Sequence, residues 1–172
     1  RAVRTADGDF AYDHVVLVPG CVTNDFGIPG AAEHALQVKF LEDGLAVRKR
    51  VLGAVEAAAK TGDADRRREL LTFVIIGGGP VGVELATSLR DLLDDSLRRM
   101  YPELDLANSA SIILIDAGER VLATMDPRLG RIATRQLAAQ RIRVVPNTRV
   151  TEVRPGTVWT EDGRMFGGHT LI

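Results

Sequence analysis

The stretch LTFVIIGGGPVGVE, residues 71–84, decides how the chain reads. Leu71 to Ile76 is a short apolar run, as expected of a strand buried on both faces. Gly77, Gly79 and Gly82 then stand in G-x-G-x-x-G register, and the residues from Pro80 to about Leu93 read as a helix. A turn of this kind suits a diphosphate for mechanical reasons. Gly77 lets the chain leave the strand sharply. Gly79 has no Cβ, so a pyrophosphate can approach the backbone. Gly82 lets the helix lie close to the strand. Pro80 fits the first helical turn, where its missing N–H would be unpaired anyway. The free amides and the positive end of the helix dipole then face the phosphates. No Gly-Lys-Ser/Thr follows, so the turn is not a nucleoside triphosphatase loop.

Working outward, Ser111 to Ile115 is a second buried strand, and Asp116 follows it directly. An acid at the end of the second strand can bind a ribose 2′-OH and would repel a 2′-phosphate, which favours NAD(H) over NADP(H). The other reading of Asp116 is a surface acid that merely ends a strand, and Arg120 nearby blurs the cofactor preference. The interval from Gly82 to Asp116 is longer than usual, and the excess lies in residues 94–110, read as extended helix and loop. Glu84 stands on the first turns of the glycine helix. It either complements the helix dipole or holds the nicotinamide end of a dinucleotide. Asp126-Pro127 opens another helix, with Leu129, Ile132, Ala133 and Leu137 on one side, and Ile142 to Val145 is a third strand. Strands interleaved with helices predict a Rossmann-like parallel sheet with helices on both faces. After Pro146 the period changes to two, with Asp162-Gly163 as a hairpin turn, which predicts a β-meander and a final strand from His169.

Upstream, Asp7-Gly8 is a turn signal and Tyr12 to Val18 reads as a strand ending at Pro19-Gly20, whose partners lie outside this chain. Residues 31–70 read as helical, with Leu41, Leu45, Leu52, Val55 and Ala59 on one face, and Asp63 caps a second short helix. The clusters Arg48-Lys49-Arg50 and Arg66-Arg67-Arg68 read as solvated helix faces. These boundaries divide the chain into residues 1–30, 31–70 and 71–172.

Composition excludes other classes. The chain has 172 residues, 45% hydrophobic and 26% charged, in the ordinary globular range, with a formal net charge of −1. That balance gives no drive toward nucleic acid or anionic lipid. One cysteine, Cys21, rules out an internal disulfide or a Cys-x-x-Cys pair, and it reads as a small buried residue. His14, His34 and His169 have no metal-ligand spacing. No apolar run is long enough to span a bilayer and no export leader is visible. The chain begins at Arg1 and stops within an apolar run, as expected of a piece of a longer protein.

Together these residues resemble the FAD- and NAD(P)-dependent pyridine nucleotide oxidoreductases, which carry two dinucleotide-binding domains. Tyr12 to Gly20 looks like the strand closing that family's FAD domain, although Val18-Pro19-Gly20 departs from its Ala-Thr-Gly ending, and Phe26-Gly27-Ile28-Pro29-Gly30 resembles the loop after it. Lys39 to Asp43, the glycine stretch, Asp116 with Arg120-Val121-Leu122, and Met125-Asp126-Pro127 look specifically like type II NADH dehydrogenases. The resemblance covers nearly the whole chain. It implies a remnant of an FAD domain at 1–30, a helical connection at 31–70 and an NADH-binding domain at 71–172. Gly77, Gly78, Gly79, Pro80, Val81 and Gly82 would cradle the pyrophosphate, Asp116 the adenosine ribose and Glu84 the nicotinamide end. Gly20 would lie near the flavin. The parent would pass hydride from NADH to FAD and two electrons on to a quinone, as a cytoplasmic, peripheral membrane protein and a possible homodimer. This chain would bind NADH without holding FAD. A soluble NAD(P)H flavoprotein reductase with another acceptor and a non-catalytic NADH-sensing module are the other readings.

Overall fold

The structure, a computed structural model, describes residues 1–172. The chain opens with an antiparallel hairpin of β1 (Ala2–Thr5) and β2 (Gly8–Ala11) around the Asp7-Gly8 turn. Three helices follow, α1 (Ala31–His34), α2 (Leu41–Lys60) and α3 (Ala64–Leu70). The Asp63 carboxylate caps α3 by accepting from the amides of Asp65 and Arg66, satisfying two of the donors that a helix start leaves unpaired.

The glycine stretch forms β3 (Thr72–Ile76) and α4 (Pro80–Asp91). The chain continues through a π-helical turn (Leu92–Leu97), α5 (Arg98–Met100), a 3₁₀ turn (Pro102–Leu104) and α6 (Leu106–Ser109) into β4 (Ser111–Ile115). After α7 (Pro127–Ala139) come β5 (Ile142–Val145), the meander β6 (Val150–Arg154), β7 (Thr157–Thr160) and β8 (Met165–Gly167), and β9 (Thr170–Leu171). A parallel sheet runs β5-β4-β3-β9, with Val74 opposite Ile113 and Leu171. Its strand order, third, second, first, fourth in chain sequence, is that of a Rossmann half.

Strand alternation divides the core into two layers. Phe73, Ile75, Ile112, Leu114 and Ile142 point to one face and pack with Val51, Val55 and Ala58 of α2, Ala86 and Leu89 of α4 and Leu137 of α7. Val74, Ile113, Ile115 and Val145 point to the other face and pack with Val150, Val153, Val158 and Phe166 of the meander. The short α1 adds Ala31 to this second layer. The long helices therefore share one face, and the meander with α1 covers the other. Each fully buried side chain here contributes roughly 1.5–3 kcal/mol. Because α2 shares a core with β3, the helices of residues 31–70 are packed against the sheet that carries the glycine turn.

Four local expectations are corrected. Tyr12 to Val18 forms no strand: the Tyr12 amide donates to the Arg1 carbonyl at 3.2 Å beside the hairpin, no further backbone bond follows, and Val16, Leu17 and Val18 are exposed. The buried stripe of α2 is Val47, Val51, Ala54, Val55 and Ala58, with Leu52 and Ala59 half-buried against the same core, while Leu41 and Leu45 at the start of the helix are exposed. On α7, Leu129 and Ile132 are exposed and the buried positions are Gly130 and Leu137. Gly130 can face inward because it has no Cβ, which would press on the Val121 carbonyl and the Arg120 side chain. Cys21 is exposed, with the Lys39 ammonium 2.6 Å from its sulfur, since the segment around it has no layer above it.

The residues between α4 and β4 are core rather than loop. Leu93, Leu97, Leu104 and Leu106 are buried there, beside the guanidinium of Arg90, which is 1% exposed. Arg90 donates to the carbonyls of Leu106 (3.2 Å) and Ala110 (3.3 Å) and to the Asp94 carboxylate (2.8 Å). Asp94 also accepts from Arg141 at 2.8 Å. One buried cation thus ties the inserted segment to α4, and Asp94 ties both to the start of β5.

Candidate dinucleotide site

The glycine turn sits where the parallel strands end, the usual place for a ligand in an open α/β sheet. Gly77 has φ 110, a conformation that favours glycine, and its amide donates to the Ile115 carbonyl at 2.8 Å. This continues the β3–β4 ladder one residue past β3 and holds the start of the turn. A Cβ on Gly82 would run into the Gly77 carbonyl oxygen, so α4 lies against the strand end only because Gly82 has no side chain. Gly78 packs against Asp116: a Cβ there would come within 3.0–3.1 Å of the carboxyl group. Gly79 differs from both. Nothing lies within 4 Å of where its Cβ would be.

Helix α4 starts from Gly79 with no side-chain cap. Its first intrahelical bond runs from the Val83 amide to the Gly79 carbonyl at 3.0 Å, and Pro80 has no amide hydrogen. The amides of Val81 and Gly82 therefore precede any intrahelical partner. They stand beside the open space at Gly79, at the positive end of a twelve-residue helix. A cleft of about 670 Å³ opens there, bounded by the turn, the strand ends at Ile76, Ile115 and Ile172, and the segment around Ile28 and Leu36. Its size and apolar walls with a few polar groups suit an organic ligand of dinucleotide size.

The structure brings Asp116 to the turn. One carboxylate oxygen accepts from the Gly78 amide at 2.5 Å and the other from the Gly118 amide at 2.6 Å, the second bond closing an Asx-turn. The Asp116 backbone is held as well, by its amide to the Val145 carbonyl (3.0 Å) and by the Thr148 amide to its carbonyl (2.8 Å). Asp116 lines the cleft and is oriented from four directions. Each oxygen keeps a lone pair for a hydroxyl donor, as an ionised carboxylate has about four acceptor sites. Glu84 is exposed on α4 and lies outside the cleft wall. Gly77, Gly79, Pro80, Val81 and Gly82 line the cleft, whereas Gly78 contributes through its bond to Asp116.

Arg120 is committed elsewhere. Its guanidinium donates to the carbonyls of Leu122 (2.8 Å), Ala123 (3.0 Å) and Met125 (3.1 Å), curling the loop before α7. That loop clamps the turn from outside, because the Leu122 amide donates to the Gly78 carbonyl at 2.7 Å.

Sequence reasoning missed three contributions to the site's geometry, from Gly118, Leu122 and the Thr148-Arg149 pair. Gly118 could have been found, since Asp-x-Gly is an Asx-turn signal. Leu122 and the Thr148-Arg149 pair could not, because they reach the site only by long-range folding. His169 lies in the bend before β9, away from the cleft, and is pushed below the ordinary histidine value by burial first and then by Arg50 and Arg66, with Glu69 opposing. No group of three or more metal-ligating side chains occurs in the chain.

A family profile described as pyridine nucleotide-disulphide oxidoreductase matches residues 2–172. The chain is 33% identical over 151 residues to the type II NADH:quinone oxidoreductase of Mycobacterium tuberculosis, covering 88% of this chain and 32% of that protein. It is 36% identical over 152 residues to the mitochondrial external NADH-ubiquinone oxidoreductase 2 of Saccharomyces cerevisiae, covering 87% and 27%. The chain thus spans about a third or less of the length of these relatives. Among solved structures, the NDH2 of Plasmodium falciparum in complex with NADH superposes with a TM-score of 0.80 at 24% identity, covering 87% of this chain and 31% of that one. At that identity the likeness shows the fold.

Proposed function

This chain belongs to the pyridine nucleotide-disulphide oxidoreductase family, and from that premise we propose that it is the NADH-binding portion of a type II NADH:quinone oxidoreductase. The open position at Gly79, where a Cβ would meet nothing and the uncapped amides of α4 face a cleft, carries the reading. Gly77 to Gly82 would hold the pyrophosphate through backbone amides and the helix dipole. Asp116 would accept from the hydroxyls of the adenosine ribose. The Arg120 guanidinium is engaged by three carbonyls and does not offset the charge of Asp116, which supports NADH over NADPH. Glu84, exposed and off the cleft wall, fits the helix-dipole role better than a nicotinamide contact.

When bound, the nicotinamide supplies a hydride, and flavin held by further family domains would accept it. The task of this chain would be position: it would fix the phosphates and ribose so that the nicotinamide can be presented to the flavin. No proton transfer by these residues is required. Quinone as the final acceptor rests on the names of the relatives, which describe NADH- or NAD(P)H-quinone oxidoreductases. From the quinone acceptor we infer a peripheral association of the parent with the cytoplasmic face of the quinone-bearing membrane; in this chain itself no helix is long and apolar enough to cross a membrane.

Titration calorimetry tests the reading. NADH should bind in the cleft, and NADPH should bind about tenfold or more weakly, as expected where a 2′-phosphate meets an uncompensated carboxylate. Equal affinities would remove the role given to Asp116. No binding of either would remove the site.

A further inference from the structure

We propose that Arg149 pairs with a phosphate group of the dinucleotide and is a binding residue of the site; this rests on the NADH reading above. The ligand carries two negative phosphates, and backbone amides offer only partial charges to meet them. Among the side chains lining the cleft, Arg149 is the single lysine or arginine. The acids there are Asp25 and Asp116, so without Arg149 the cleft presents net negative charge to an anionic ligand.

The backbone of Arg149 is fixed while its guanidinium is available. Asn147 turns the chain with φ 50, a left-handed conformation that asparagine tolerates, and its amide donates to the Gly118 carbonyl at 2.8 Å. The Thr148 amide donates to the Asp116 carbonyl at 2.8 Å, and the buried Thr148 hydroxyl accepts from Arg164 at 2.7 Å. The Arg149 carbonyl accepts from the Glu161 amide at 2.9 Å. These bonds carry Arg149 on the same platform as Asp116, in the wall of the cleft. Its guanidinium makes no hydrogen bond within the chain. It has one loose ionic neighbour, Glu161, at 3.7 Å, and both side chains are largely exposed. An exposed pair of that length contributes little, so a phosphate can displace it. The contrast with Arg120, latched by three carbonyls, separates a structural arginine from a ligand-facing one.

The test is calorimetry on the full chain with NADH and NADPH, for wild type, Arg149→Gln and Arg149→Lys, over a series of salt concentrations. Circular dichroism verifies that the variants fold. Arg149→Gln should weaken binding about five- to tenfold, as for loss of a charge-assisted hydrogen bond in a partly solvated site, and should flatten the dependence of affinity on salt. Arg149→Lys should retain part of the affinity and the salt dependence, because it keeps the charge but loses the planar fork. Equal losses for both nucleotides would place the contact at the pyrophosphate they share, and a loss confined to NADPH would overturn the proposal, because NADH has no 2′-phosphate to pair with Arg149. Unchanged affinity and salt dependence for both nucleotides would overturn the proposal. Failure of wild type to bind NADH would instead defeat the functional reading itself, so the two failures are distinguishable.

Discussion

Replacing Gly79 by valine separates ligand space from folding space. Gly79 has φ −71 and ψ −177, extended backbone open to any residue, and no atom lies within 4 Å of an added Cβ. The substitution therefore meets no clash in the folded chain. Its folding cost is that of a poorer helix N-cap, below about 1 kcal/mol. For the ligand the same Cβ and its two methyl groups fill the place where a phosphate must lie to reach the amides of Val81 and Gly82. Losing two hydrogen bonds to a charged group costs about 1.5–3 kcal/mol each, so affinity for NADH should fall at least about 100-fold. The control is Gly82→Ala, whose Cβ would collide with the Gly77 carbonyl and should cost about 1–3 kcal/mol of stability by overpacking. Calorimetry with NADH and urea unfolding should give opposite signatures: Gly79→Val stable but unable to bind, Gly82→Ala measurably less stable. A Gly79→Val chain that binds NADH within threefold of wild type would refute the cradle, and one that fails to fold would refute the claim that the space at Gly79 is reserved for ligand.

Two further outcomes follow from the packing. Asp94→Ala should lower stability by about 3 kcal/mol, because Arg90 is left buried without its carboxylate and Arg141 loses the same partner; urea denaturation that shows no shift would mean that the Arg90 cluster does not hold the segment between α4 and β4. His169 is held below its ordinary value near 6.5, by burial first and then by Arg50 and Arg66, so the unfolded chain binds the proton more readily than the folded one. Its contribution is complete above about pH 6.5 and is lost as pH falls toward the depressed folded value, so the thermal midpoint should drop from about pH 7.5 to about pH 5.5 and His169→Gln should flatten part of that slope. Parallel profiles for the two proteins would contradict it.

What the residues themselves determined is what local chemistry controls. A wholly apolar run reads as a buried strand wherever it falls, glycines in G-x-G-x-x-G register have few other uses at a strand-to-helix bend, and Asp63 and Asp126 cap helices by reaching amides two or three residues away. The three inner strands, the meander and the position of Asp116 were legible for that reason. Tertiary structure decided which surface of each element is buried and which distant groups meet. Helical period placed Val55 inward, but only the packing of α2 decided that Val47, Val51 and Ala54 and not Leu41 and Leu45 complete its buried stripe. Tyr12 to Val18 has the composition of a strand, yet a strand exists only where a neighbour supplies hydrogen bonds, and after the Tyr12 amide reaches the Arg1 carbonyl none is supplied. The Leu122 amide on Gly78 and the Arg149 platform on Asp116 join residues more than 30 apart, through bonds that no local pattern encodes. Arg120 and Arg149 are alike as letters. Only folding gives one three carbonyls and leaves the other a cleft.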